Sequence, residues 1–349
     1  MPVSFIQPDV GSRVDRRLAG FLETWGAPVD DPDVQAAYRL LADFILNGGK
    51  RVRPQLCYWG WRGAGGGDSE EIITAAAALE LCHAGLLIHD DIMDGSELRR
   101  GRTTVHRSLA GLHSGPGAEA FGQGGGILLG TLSLVWSDTM LSSCGVEPHR
   151  LRAAHHVFDA MRTEVISGQY LDIVAQLRSG ASVAEALTVI RFKTAKYTVE
   201  RPLQIGGALA GASMEVLESY SRFGLPLGEA YQLRDDVLGT FGSEPETGKS
   251  ALDDLREGKR TVLFAYAVRN ASPAQLGRLG SWYGNPELTE EHAAELRQIL
   301  CDTGALARVE EMIEERVHEA VTALATARIE PEAARALALL ADQLAHRTN

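Results

Sequence analysis

The sequence predicts an all-α protein, and three observations predict it. Ala and Leu recur throughout the 349 residues while aromatic residues make up only 6%. Ala and Leu lead the helix scale, whereas strands favour β-branched and aromatic side chains. Apolar residues repeat at helical spacing in almost every segment, and alternation with period two is rare. Helix start signals stand before the clearest of these segments.

Taken in order, residues 1–349 read as a single domain whose first ~15 residues form a flexible tail. A helical stretch covers 33–46. Asp68, Ser69, Glu70 and Glu71 then read as a cap with acids in the first turn, opening a helix through Met93. Further stretches cover 123–144 and 150–177, and Ser182 with Glu185 repeats the start signal before "ALTVIRFKTAKYTV". Stretches at 215–239, 258–271 and 288–327 follow, and Pro331 opens the last helix. Breaks fall at 62–68, 111–119 and 242–259. The last is long, polar and charged in both signs, which suits a functional loop.

A net charge of −12 argues against a general nucleic-acid binder, which carries a basic field. The four cysteines, Cys57, Cys82, Cys144 and Cys301, form no CxxC pair, so neither a zinc site nor a disulfide framework is suggested. Reduced thiols imply a cytoplasmic protein. The N-terminus lacks the basic-then-apolar order of a signal peptide, and the apolar run Ile72 to Ile88 reads as too short for a membrane span.

The stretch "HDDIMDGSELRRGRTTVH" (89–106) ends that apolar run with Asp90, Asp91 and Asp94, and adds Arg99, Arg100 and Arg102 within a few residues. Asp90 and Asp94 share a helix face, where bare like charges repel. Alone, the stretch reads as a solvated helix end. A second one changes that reading: "YQLRDDVLGTFG" (231–242) closes another helix with Asp235 and Asp236, and Lys249 and Lys259 follow. Two carboxylate sets, each trailed by cations, suit Mg²⁺ and a diphosphate, because Mg²⁺ takes one or two carboxylates and completes its shell with water and phosphate.

Five ordered motifs now carry a resemblance: "GGKRVRP" (48–54), "HDDIMD" with "LRRGRTTVH", "GQYLD" (168–172), "KTAKYT" (193–198), and "YQLRDDVLG" with "TGKSALDDLREGKRT" (231–261). The chain resembles the trans-isoprenyl diphosphate synthases, the polyprenyl synthetase family. The resemblance implies a single large helical bundle with a central substrate cavity, working as a homodimer. It implies condensation of isopentenyl diphosphate with an allylic diphosphate. By the same resemblance Asp90, Asp94 and Asp235 hold three Mg²⁺ ions, and Arg99, Lys193, Lys249 and Lys259 contact the allylic diphosphate. Lys50, Arg53, His83 and Arg100 hold isopentenyl diphosphate. Thr194 and Gln232 turn oxygens toward the carbocation, and Gln169 and Asp172 line the same cavity.

Two departures stand out. Gly239 replaces the last aspartate of the second acidic motif, and Thr131 stands where many relatives carry an aspartate. Asp91, Asp236, Asp253 and Asp254 are left between supporting and surface roles. Product length is read from the helix ending in Asp90, with Cys82, Gly85 and Leu86 as the ruler positions. None is aromatic, which points to C20 geranylgeranyl diphosphate, with C15 or C25 and longer as alternatives. A class I terpene cyclase would carry an Asn, Ser and Glu triplet in place of the second motif, and 227–242 has none. A non-catalytic partner subunit would be expected to lose site residues that are here nearly complete.

Overall fold

The computed structural model describes residues 9–178, 180, 182–242 and 252–346, apart from the side chain of Asp253. It falls into two compact units, Met1–Ala154 with Ile205–Gly211 and His155–Gln204 with Ala212–Asn349.

The first unit is built on α4 (Glu70–Met93). Helices α1 (Val10–Thr24), α2 (Pro32–Leu46), α3 (Val52–Gly63) and α6 (Ala118–Ser142) pack around it, with the short α5 (Val105–Ala110) against α6. Every residue from Ile72 to Cys82 is buried, which accounts for the composition of this helix. By length and apolarity α4 could cross a membrane, contrary to the expectation that its apolar run is too short. Yet 78% of its most apolar window lies inside the protein, as in a core helix. Of the residues expected as a tail, 10–15 instead begin α1, where the Asp9 carboxylate accepts the Ser12 amide at 3.0 Å and Val10, Val14 and Leu18 are buried.

One small sheet was not expected. β1 (Leu98–Arg99) and β2 (Arg102–Thr103) pair antiparallel across a two-residue turn. Arg100 and Gly101 both take positive φ, 55° and 71°, the left-handed turn whose twist matches that of the strands it joins.

The second unit centres on α10 (Met214–Phe241), which packs on a π-helix, Ile190–Glu200, and on α15 (Ala305–Ala325). The other elements are the body of α7 (Pro148–Leu177), α8 (Val183–Val189), the start of α9 (Arg201–Ala210), α11 (Asp253–Glu257), α12 (Val262–Asn270), α13 (Pro273–Trp282), α14 (Glu290–Asp302) and α16 (Pro331–Ala345). Ser182 caps α8 and Pro331 opens α16, as their residue types imply. The stretch read as one helix over 288–327 is two, because Gly304 takes φ 73° and turns the chain between α14 and α15.

The π-helix is the larger surprise, since its residues read as an ordinary helix. It is seated on glycines of its neighbours. A Cβ on Gly168 of α7 would stand 2.4 Å from the Lys193 nitrogen, and one on Gly228 of α10 would stand 2.4 Å from the Ala195 Cα. The wider turn brings the "KTAKYT" backbone against both helices, a geometry that recurs at functional positions.

Candidate active site

On α4, His83, Leu86, Leu87 and Asp90 are half-buried, whereas Ile72 to Cys82 are buried. Their spacing of three, four and seven places them on one face, and Asp94 continues it by one turn. Asp90 keeps 20% of its side chain exposed. Asp91 points the other way, fully buried, and accepts a hydrogen bond from Arg99 Nε at 2.8 Å. Arg99 also reaches Asp90 Oδ2 at 3.5 Å. Although burial opposes its charge, Asp91, Asp90 and Asp94 hold the Arg99 guanidinium above its usual pKa. Arg99 therefore sits at the carboxylates, and Asp91 is its buried anchor.

The basic residues of this unit gather nearby. Burial, then the guanidinium groups of Arg53, Arg100, Arg99 and Arg51, push the His83 pKa well below its usual value. His83 is thus neutral at neutral pH and lies among the arginines expected beside it. Arg100 rests on the "GG" turn: Cβ atoms on Gly48 and Gly49 would meet its side chain at 2.9 and 3.1 Å. Those glycines take φ 115° and 106°, which only glycine adopts without strain. Lys50 is exposed and Arg53 half-buried.

Arg51, absent from the expected site, fixes this turn. Its guanidinium is buried, donates to Glu80 Oε1 at 2.7 Å, to Asp15 Oδ1 at 2.8 Å and to the Ile45 carbonyl at 3.0 Å. Only 4% of the Arg51 side chain and 6% of that of Glu80 is exposed. Arg51→Ala is expected to destabilise the protein by about 3–5 kcal/mol, because it strands a buried carboxylate. Urea unfolding checks this. A midpoint equal to that of the wild type would show that the pair is not an anchor.

In the second unit, Lys193 donates to Asp172 Oδ2 at 2.7 Å, joining "GQYLD" to "KTAKYT". The neighbouring Gln169 is half-buried. Thr194 Oγ1 donates to Gln232 Oε1 at 2.6 Å, and Gln232 Nε2 donates to Asp236 Oδ1 at 2.8 Å. The Gln232 oxygen expected to face a cation accepts the Thr194 bond with one of its two lone pairs. Asp236 is buried, and desolvation holds its pKa well above the usual carboxylate range despite the Gln232 bond. Arg234, opposite it, clamps Glu310 at 2.8 and 2.6 Å and the Ala345 carbonyl at 2.9 Å. With Arg234 and Asp236 both turned inward, Asp235 is the exposed acid of the pair.

Lys259 pairs with Glu257 at 2.8 Å and Asp254 at 3.4 Å. Thr131 is exposed and donates to the Ile127 carbonyl at 2.8 Å, an ordinary helix-surface bond. Lys249 and residues 243–251 of the loop expected at 242–259 lie outside the described residues. Among the described residues, no three His, Cys, Asp or Glu side chains converge to hold a metal alone. Asp90 and Asp94 offer a two-carboxylate set of hard oxygens, which fits Mg²⁺ because that ion completes its octahedron with water and substrate phosphate.

A family model described as polyprenyl synthetase matches residues 34–300. The chain is 31% identical to the geranylgeranyl diphosphate synthase of Methanosarcina mazei over 306 residues, 87% of each protein. It is 32% identical to the geranylfarnesyl diphosphate synthase of Aeropyrum pernix, over 75% of this chain and 78% of that one. Among solved structures, it is similar to geranylgeranyl pyrophosphate synthase from Corynebacterium glutamicum complexed with isoprenyl diphosphate and magnesium. That match has a TM-score of 0.93 and 38% identity, over 98% of this chain and 100% of the other.

Proposed function

The chain belongs to the polyprenyl synthetase family, and from that premise we propose how its own side chains carry the condensation. The enzyme is a trans-prenyltransferase of the all-α isoprenoid synthase fold, joining isopentenyl diphosphate head-to-tail to an allylic diphosphate. In the reaction the allylic C–O bond breaks, a new C–C bond forms to the isopentenyl double bond, and one proton leaves.

Asp90, Asp94 and Asp235 would hold the magnesium, three ions in all. Bound Mg²⁺ supplies positive charge that neutralises the leaving diphosphate. Arg99, Lys193, Lys249 and Lys259 add direct cationic contacts to that group, and Asp172 aims the Lys193 ammonium. Lys50, Arg53 and Arg100 pair the isopentenyl diphosphate without a metal, since guanidinium and ammonium groups bind phosphate directly. The neutral His83 donates a hydrogen bond there. The Thr194 oxygen keeps acceptor capacity and faces the developing cation. The protein works in the cytoplasm as one synthase domain.

The observation that carries this reading is the accessible face of α4, which lines up His83, Leu86 and Asp90. Incubation with labelled isopentenyl diphosphate, an allylic diphosphate and Mg²⁺ tests it. A Mg²⁺-dependent labelled prenyl diphosphate is the expected product, and its absence would overturn the reading. A C20 product is favoured by the lack of an aromatic residue at Cys82, Gly85 and Leu86, and by the geranylgeranyl synthases among the relatives.

Two further outcomes follow. Arg53→Ala should raise the KM for isopentenyl diphosphate much more than that for the allylic substrate, and Lys193→Ala should do the reverse. Initial-rate kinetics with each substrate varied in turn decides this, and equal effects would mean the pockets are wrongly assigned. Phe121, Ile127, Leu128 and Val135 leave exposed apolar surface on α6, which supports a homodimer. Sedimentation equilibrium should return twice the chain mass.

A further inference from the structure

We propose that Asp254 supplies the carboxylate that Gly239 lacks, so that the second acidic cluster is assembled from two segments, Asp235 on α10 and Asp254 on α11. The proposal rests on the reading of this site as one for magnesium and a diphosphate. Asp235 and position 239 are one helical turn apart on the same face, the relation that Asp90 and Asp94 have on α4. A Cβ built on Gly239 would stand 1.8 Å from Asp254 Oδ2 and 2.8 Å from its Cγ. The Asp254 carboxylate therefore occupies the volume that any side chain at 239 would need. Even alanine does not fit while Asp254 is there.

Lys259 donates a long hydrogen bond to Asp254 Oδ1 at 3.4 Å and lies closer, at 2.8 Å, to Glu257. Asp254 is not a surface acid, since only 21% of its side chain is exposed. The segment carrying Asp254 is fastened on its other side. Gly284 donates its amide to the Leu255 carbonyl at 2.8 Å, Arg256 Nη2 donates to the Leu288 carbonyl at 2.9 Å, and the half-buried Tyr283 donates its hydroxyl to the Lys259 carbonyl. The carboxylate is thus pre-positioned against α10, and Gly239 is the residue that admits it.

The test is Mn²⁺ binding with inorganic pyrophosphate, followed by electron paramagnetic resonance in an Asp90→Asn/Asp94→Asn background that isolates the second cluster. Asp254→Asn should weaken Mn²⁺ binding about 10–100-fold, the usual cost of losing a residue that supports a metal site. Asp254→Glu should retain most of the binding, which separates loss of the carboxylate from misfolding. Gly239→Asp alone should also weaken binding by expelling Asp254, and adding Asp254→Gly to it should recover affinity. Unchanged affinity in Asp254→Asn, or tighter binding in Gly239→Asp, would overturn the proposal while leaving the function intact. If the wild-type protein itself bound no Mn²⁺ with pyrophosphate, the reading of the whole site would fall with it.

Discussion

Asp90→Asn is expected to lower kcat by about 10²–10³-fold, the loss seen when one charge-stabilising contact is removed from a transition state. The substitution is nearly isosteric. Asp90 lies on the accessible face of α4, so the fold does not depend on its charge. Arg99 keeps its shorter contact to Asp91 when Asp90 becomes neutral. On the proposed reading, what disappears is a carboxylate oxygen that would bind magnesium at the leaving diphosphate. Asp235→Asn should act alike, because Asp235 is the exposed acid of its pair. Asp91→Asn should behave differently: it removes the buried partner of Arg99, so loss of stability should accompany any loss of rate. Turnover at saturating substrates, measured across a Mg²⁺ series with thermal melts alongside, distinguishes these outcomes. A near-normal kcat for Asp90→Asn at limiting Mg²⁺ would remove this aspartate from the metal site.

Residue spacing made the helices and both acidic motifs legible, because a period of 3.6 and a cap are local properties of the chain. The placement of Asp90 and Asp94 on one face followed from the same arithmetic. What spacing does not contain is which neighbour a given face meets. Asp91 was left between a supporting and a surface role and Arg51 was given none, yet each is buried in an ion pair with a residue on another element. The π-helix was hidden for a related reason. Its residues have ordinary helical character, and the widened turn is associated with the glycines at 168 and 228 on other helices. The role of Gly239 likewise depends on a carboxylate fifteen positions later, which no local pattern announces.

Gly85 shows the same limit most sharply and leads to the second large effect. Its distance of five residues from Asp90 marked it as a ruler position, and Gly85→Phe would then shorten the product by filling a tunnel. In the structure Gly85 faces α6 instead. An added Cβ would stand 2.6 Å from the Gly130 carbonyl oxygen and 3.0 Å from Leu134 Cγ. On the next turn His89 fills the space before Gly130, where a Cβ would meet its ring at 2.4 Å. The two helices touch backbone to side chain along this seam, so a phenyl ring at 85 must push them apart. The cost should exceed the roughly 1–3 kcal/mol usual for overpacking a core, since backbone cannot yield as a side-chain tip does. Cys82 is fully buried. Leu86 alone of the three lies on the accessible face. Gly85→Phe is therefore expected to give a poorly folded protein with a much lower melting temperature, whereas Leu86→Phe should fold normally and shift the product toward a shorter chain. Thermal melts of both variants, with chromatography of the dephosphorylated products, decide the matter. A stable Gly85→Phe enzyme making a shorter chain would restore position 85 as the ruler, and an unchanged product from Leu86→Phe would move the tunnel away from this face of α4.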